Sequence, residues 1–458
     1  MEFEMNRRQL LRVAQGFGAM TLLAGWPIAA AAAGTVTRRN VMDPAAKPDL
    51  DTYAAAVGVM RTLPASDKRS WTVQARIHND HCPHGNWYFL PWHRAYLAAF
   101  ENIIRDVAQK PDFALPYWNW TTQPTLPPAF WQGSLNDPTR TIGPNDQMSA
   151  NYVGANVINN QVLNQTNYQA FGSYMPTGQN NLDAAKWQRA FRSYGALEGT
   201  PHNYVHGRIG GNMGNYMSPL DPIFWLHHGN VDRLWVVWRN MGRLDETNSL
   251  WLDFSFPNNF YLPNGTPISP VVKNQQSTEQ LGYVYDDARS ANVAIAQNAA
   301  VGQNAAAGIS PLRGMVLEST GPIAAATGKA GTARFRPMAR TAAATPPGNG
   351  LYLICQGVTP PDEPSVGLRV FIETADATAA TSLDAPGYIG SVAFFGRHDH
   401  GGHGAGTVEF VLDASAKAGS LNLAPGKATS VTIVPVRLDK DEAAGAPVTM
   451  KSVELVAV

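Results

Sequence analysis

His78-Asn79-Asp80-His81-Cys82-Pro83-His84-Gly85-Asn86-Trp87-Tyr88-Phe89-Leu90-Pro91-Trp92-His93-Arg94 is the stretch on which the reading of the chain turns. Four histidines fall within 16 residues. Neutral imidazole is the commonest metal-ligating side chain and suits copper, zinc and iron. One histidine in such a setting is more often a packed core residue than a ligand; four together among aromatic residues reverse that expectation. His93 opens an amphipathic helix, with Tyr96, Leu97, Phe100, Ile103, Ile104 and Val107 following at helical spacing. Phe89 and Trp92 are expected to give His93 a dry wall, with Glu101 near the same face.

A second cluster lies downstream. His202-Asn203-Tyr204-Val205-His206 puts two imidazoles one helical turn apart on one face, where they can grip one ion. Pro201 suits a first helical turn. Then comes Asp221-Pro222-Ile223-Phe224-Trp225-Leu226-His227-His228-Gly229-Asn230-Val231-Asp232. Asp221 and Pro222 read as the cap and first residue of a helix. Phe224 sits one turn before His228, so its ring can stack beside a ligand. Asp232, one turn after, is expected to orient an imidazole by accepting its N–H. A zinc protease would carry H-E-x-x-H, but Asn203 follows His202. Each cluster can supply three histidines, with no obvious carboxylate or thiolate as a fourth ligand. That set suits a pair of copper ions better than magnesium, calcium or an iron–sulfur cluster, and it leaves each ion a position open for a small molecule. The lack of a bridging carboxylate disfavours a dinuclear zinc hydrolase.

The chain has 458 residues, 35 Lys+Arg against 35 Asp+Glu, 44% hydrophobic and 15% charged residues, and two cysteines. This balance excludes a disordered chain, a disulfide framework and a nucleic-acid binder working through a global positive field. Asn6-Arg7-Arg8-Gln9-Leu10-Leu11 is a twin-arginine pattern, followed by an apolar run over 13–33 that ends in small residues. Residues 1–33 therefore read as a signal peptide handled by the twin-arginine export machinery, giving a periplasmic or secreted product with no stable membrane span. Residues 40–290 read as a mainly α catalytic domain, with long loops over 121–182. Residues 291–348 read as an Ala/Gly/Pro-rich linker. Residues 349–458, with short β-branched runs between Gly/Pro/Asp clusters, read as an all-β sandwich or barrel. Cys355 reads as a buried strand thiol. His398, His400 and His403 read as a solvated Gly-rich loop, with a copper-loading site as the sharper alternative.

Both histidine segments resemble the signatures of the type-3 copper family, which comprises tyrosinases, polyphenol or catechol oxidases, and hemocyanins. The residues carrying the first match are His84, Phe89-Leu90, Trp92-His93-Arg94, Leu97 and Glu101; those carrying the second are Asp221-Pro222, Phe224-Trp225, His228 and Asp232. The resemblance covers roughly 50–290, and more weakly the C-terminal region. It implies a four-helix bundle around a dinuclear copper centre. His78, His84 and His93 would bind copper A, with His81 a rival to His78; His202, His206 and His228 would bind copper B, with His227 a neighbour. Cys82 would be crosslinked to His84 through a thioether. With O2 as co-substrate, the implied chemistry is ortho-hydroxylation of monophenols and oxidation of o-diphenols to o-quinones. Glu198 and Asn203 match the pair that holds a water near copper in monophenol-hydroxylating members, and Asn215 stands at the gate position, implying an open entrance. Gly282-Tyr283-Val284-Tyr285 resembles the motif closing the catalytic domain of plant polyphenol oxidases, whose C-terminal domain shields the copper entrance. The implied partners are phenolic small molecules and no nucleic acid. A catechol oxidase lacking monophenolase activity and a hemocyanin-like oxygen carrier remain as alternatives.

Overall fold

The computed structural model describes residues 35–190, 193–288, 315–326, 328–337, 350–361, 365–395, 407–417, 421, 430–440, 442–445 and 447–457. The expected signal segment 1–33 and the loop bearing His398, His400 and His403 lie outside the described residues.

Five helices of seven or more residues frame the described N-terminal part: α1 (Lys47–Thr62), α2 (Trp71–His81), α3 (Phe89–Ala108), α4 (Asn203–Ile209) and α5 (Ile223–Asn240). In α1 the buried residues Tyr53, Ala56, Val57 and Met60 make the stripe that a half-buried helix needs, and it packs on α3. Ser70 caps α2 by accepting the Val73 N–H at 3.4 Å. Every residue of α3 from Phe89 to Glu101 is buried, so this helix runs through the core rather than over it. It stops at Gln109, whose φ of 52° closes the last turn in the left-handed conformation. Asp221 accepts the Ile223 N–H at 3.1 Å at the start of α5, close to its expected capping role. α3 and α5 interlock through aromatic rings, with Tyr96 and Phe100 both packed on Trp225.

The loops over 121–182 contain short helical turns, including Pro128–Trp131, Ala150–Val153 and Tyr168–Phe171. The helical signal beginning at Ala184 yields one turn, Ala184–Trp187. Val36–Arg38 pairs in parallel with Tyr283–Tyr285, so the two ends of the helical unit are tied to each other.

The C-terminal part is β. One six-stranded sheet runs in the order Ser193–Tyr194, Val408–Asp413, Leu351–Val358, Ser452–Ala457, Met315–Ser319, Arg336–Pro337. A four-stranded sheet runs Tyr388–Ala393, Val366–Ile372, Ser430–Arg437, Gly331–Arg334. They share one core that includes Leu353, Phe410 and Leu455 from the first and Leu368, Val370 and Ile433 from the second.

One feature corrects the sequence reading. Residues 315–337, assigned to the linker, hold strands of both sheets. They are short runs whose main partners, Ser452–Ala457 and Ser430–Arg437, lie far along the chain. At Gly331 a Cβ would sit 2.7 Å from the Ala324 carbonyl oxygen. The β part also draws on the helical unit. Ser193–Tyr194, from the helical unit, extends its larger sheet in parallel with Val408–Asp413. No described helix is long and apolar enough to cross a membrane.

Candidate metal centre

The last turn of α2 carries His78, the first turn of α3 carries His93, and His84 lies in the loop between them. His202 ends a π-helical turn, Glu198–His202, that runs directly into α4, where His206 follows one turn on; His228 lies in α5. All six are buried. The rings of His78, His84 and His93 form a triangle with centroid separations of 5.3, 5.5 and 5.3 Å. Those of His202, His206 and His228 form a second, at 4.6, 5.0 and 5.6 Å. The triangles share a face, because His93 stacks on His228 at 4.3 Å.

The backbone fixes how these rings present themselves. Nδ1 of His78 lies 2.7 Å from the Tyr216 carbonyl oxygen, that of His93 2.8 Å from Phe89 O, and that of His206 2.7 Å from Met213 O. Nδ1 of His202 lies 2.9 Å from Asn203 Oδ1. A neutral ring donating from Nδ1 keeps its lone pair on Nε2. Burial pushes the pKa of His84, His93, His206 and His228 well below the usual value, and that of His202 to about 3, so these rings are neutral at physiological pH. Nε2 of His84, His93 and His202 and Nδ1 of His228 are buried without a hydrogen-bond partner. Nε2 of His206 and Nε2 of His228 face each other at 3.4 Å. Buried imidazole nitrogens without a hydrogen-bond partner are costly unless a cation binds them, and an all-imidazole donor set fits copper.

The walls are aromatic. Phe224 lies 4.3 Å from the His228 ring, Phe89 4.8 Å from His93 and from His202, and Trp92 4.9 Å from His93. His81, the rival to His78, sits half-buried at the end of α2, outside the groups of described residues able to hold an ion.

Residues 68–143 and 130–241 match the family model described as the common central domain of tyrosinase. The chain carries a tyrosinase domain. It is 34% identical over 300 residues to a tyrosinase of Hahella sp. (strain CCB-MM4), covering 55% of this chain and 63% of that protein. It is 34% identical over 277 residues to a chloroplastic polyphenol oxidase of Malus domestica, covering 52% and 46%. The match thus spans about half to just under two thirds of these relatives' own length. The structure of latent apple tyrosinase superposes over 96% of this chain and 99% of that chain, with a TM-score of 0.67 and 25% identity. Recombinant latent aurone synthase, at 21% identity and a TM-score of 0.66, shares the fold.

Other expected residues of the tyrosinase domain fall as follows. Cys82 is buried with Sγ 3.4 Å from Nδ1 of His84. Glu198 accepts the Gly85 N–H at 2.9 Å and the Ser173 hydroxyl, and burial pushes its pKa well above the usual carboxylate value. Asn203, besides holding His202, donates to Ala393 O of the β part at 2.9 Å. Asn215 is tied into its own loop, accepting from Met217 N and donating to Gly211 O. The ring that faces the histidines from this loop is its neighbour Tyr216, 5.3 Å from His84.

Asp232 does not orient an imidazole. Its carboxylate accepts from Arg94 at 2.5 Å and from the hydroxyls of Tyr283 and Tyr285 at 2.6 and 2.7 Å, with Arg38 at 3.5 Å. Helical spacing places it one turn past His228 but cannot show that two buried guanidinium groups outbid the imidazole. Glu101 is likewise drawn to Arg38, at 2.9 Å.

The open entrance expected from Asn215 is not what the structure holds. Phe395, just past the strand Tyr388–Ala393, lies 4.8 Å from the His84 ring, 4.3 Å from His206 and 5.2 Å from Tyr216. Its neighbour Phe394 turns the other way, onto Phe410 of the β core. Nothing local in the Phe394-Phe395 pair says which ring goes where, so the sequence reading missed it.

Proposed function

We propose that this chain is a copper phenol oxidase that ortho-hydroxylates monophenols and oxidises o-diphenols to o-quinones with O2. His78, His84 and His93 hold one copper and His202, His206 and His228 the other. The observation that carries this is the pair of buried imidazole triangles, stacked on each other through His93 and His228, in which ring nitrogens of His84, His93, His202 and His228 have no hydrogen-bond partner. When bound, the metal pair supplies O2 activation and the redox capacity of the reaction. The chain supplies the rest. Backbone carbonyls hold ligand tautomers, and Phe89, Trp92 and Phe224 keep the site dry. Glu198, made more basic by its burial, is suited to receive the phenolic proton, alone or through a water shared with Asn203. The Cys82–His84 approach supports the thioether, an S–C bond formed as the thiol and ring C–H hydrogens pass to O2, the co-substrate; intact-mass measurement after loading with copper and O2 tests it as the loss of those two hydrogens.

The β part acts as a shield. Phe395 takes the place a phenol ring needs, and Ser391 O and Ala393 O hold Thr200 and Asn203 beside the copper-B ligands. The twin-arginine pattern fits export of a chain folded around its metal. The deciding experiment is steady-state oxidation of a monophenol and an o-diphenol by copper-loaded Phe395→Ala protein. Turnover of both is expected. Turnover of the diphenol alone identifies a catechol oxidase, and turnover of neither with two coppers bound, both in this variant and after the β part has been removed, identifies an oxygen carrier.

A further inference from the structure

His202, His206, His227 and His228 are all buried, and one ring nitrogen from each lies within 4.8 Å of the others. Four imidazoles so placed are a closed ligand set. A metal that took all four would have no position left for O2 or substrate. What separates His227 from its neighbours is its hydrogen bond. Where His202 and His206 present Nδ1 to oxygens, Nδ1 of His227 receives the indole N–H of Trp120 at 3.1 Å. Indole nitrogen only donates, so Nδ1 of His227 must carry the lone pair and the proton of the neutral ring must sit on Nε2. One nitrogen is then occupied as an acceptor and the other is an N–H; neither has a lone pair for a metal. Moving the proton to Nδ1 would set two N–H groups against each other in a buried site.

The bond is built into the fold. Trp118 N–H donates to Leu226 O at 3.0 Å, and the Trp120 N–H donates back to Trp118 O at 3.0 Å, seating this segment on α5 beside His227. The close approach needs Gly229, where a Cβ would lie 3.2 Å from that of Tyr117. We infer that Trp120 is a tautomer lock: by donating to Nδ1 it denies His227 to the His202–His206–His228 centre and so keeps the open position there. Trp120 is a positioning residue. This rests on the reading of those three histidines as a copper site.

The test has two arms on the full chain. In the metal-free protein, nitrogen NMR with 15N-labelled histidine, assigned against His227→Gln, is expected to show His227 protonated at Nε2; a proton on Nδ1 overturns the inference. In the copper-loaded protein, azide binding is followed by its charge-transfer absorption. Trp120→Phe keeps the ring but removes the donor. It should retain two coppers yet bind azide at least about tenfold more weakly, while Trp120→Phe/His227→Phe restores binding. Undiminished azide affinity in the single variant at full copper content overturns the lock. If Trp120→Phe does not fold, the NMR arm decides. Failure of the unmutated chain to take up copper would refute the copper reading instead, and the tautomer result would stand apart from it.

Discussion

Glu198 shows how much a single residue's surroundings decide. In the sequence it is one acidic residue before a Gly-Thr-Pro turn. In the fold it is wholly buried, with one oxygen on Gly85 N–H and the other on Ser173. Burial makes it a stronger base than an exposed carboxylate, the direction wanted for taking a proton from a phenol. Glu198→Gln keeps the shape and the acceptor but removes the base. With copper content unchanged, it should lower kcat/KM for a monophenol about 100-fold and leave o-diphenol oxidation within a few-fold. Equal losses on both substrates would assign Glu198 to holding the loop at Gly85. The histidines that gather in the core were legible because spacing along a helix is a local pattern: His202 and His206 are one turn apart whatever surrounds them. Asp232 was misread for the opposite reason, since its partners Arg38, Tyr283 and Tyr285 come from strands at the two ends of the helical unit.

Among elements, the strand Tyr388–Ala393 has the largest consequence. Its far end delivers Phe395 into the space between the histidines, and its carbonyls grip Thr200 and Asn203. Phe395→Ala should raise oxidase activity of the uncut chain about tenfold or more, because removing the ring opens a cavity the size of a substrate ring next to the ligands. Activity assays on equally copper-loaded proteins check this, and unchanged activity would mean that the main-chain clamp, not the ring, is the barrier. The second element-scale device joins α3 and α5. Arg94 from α3 and Arg38 from the first strand both lean on Asp232 of α5, and the Tyr283 ring lies 3.5 Å beneath the Arg38 guanidinium. Asp232→Asn leaves the buried Arg94 guanidinium without its carboxylate, while Arg38 keeps Glu101, and should cost about 3–5 kcal/mol by denaturant unfolding. Burial alone would raise the Asp232 pKa, but Arg94 and Arg38 outweigh it and hold it below the usual value. The folded state therefore binds fewer protons than the unfolded state around and below pH ~4, so stability from this group is complete above that range and drains away as pH falls. The gap between wild type and Asp232→Asn should accordingly be constant near neutrality and narrow in acid.

For the whole molecule, the helical unit and the β part are joined by more than the chain between them. Ser193–Tyr194 completes the larger β sheet, Ser193 donates to Glu409, and Tyr194 stacks on Phe410 at 5.3 Å. A protease cut within 289–314 is therefore expected to raise activity only when the β part also leaves. Size-exclusion chromatography with phenol oxidation assays on each peak checks this: the nicked but associated form should stay slow and the separated helical unit should be fast. Equal rates for uncut, nicked and separated forms would remove the shielding role without touching the copper assignment.

By itself the sequence determined which histidines would gather, the aromatic lining and the division into a helical and a β-rich part. These depend on spacing along a helix or strand, which the backbone geometry fixes locally. It did not determine the strands over 315–337, which are too short to show a period, nor the fate of Asp232, the filling of the entrance by Phe395, or the state of His227. Each of those depends on which group from a distant segment arrives first at a buried charge, cavity or lone pair, and only the packed tertiary structure decides that.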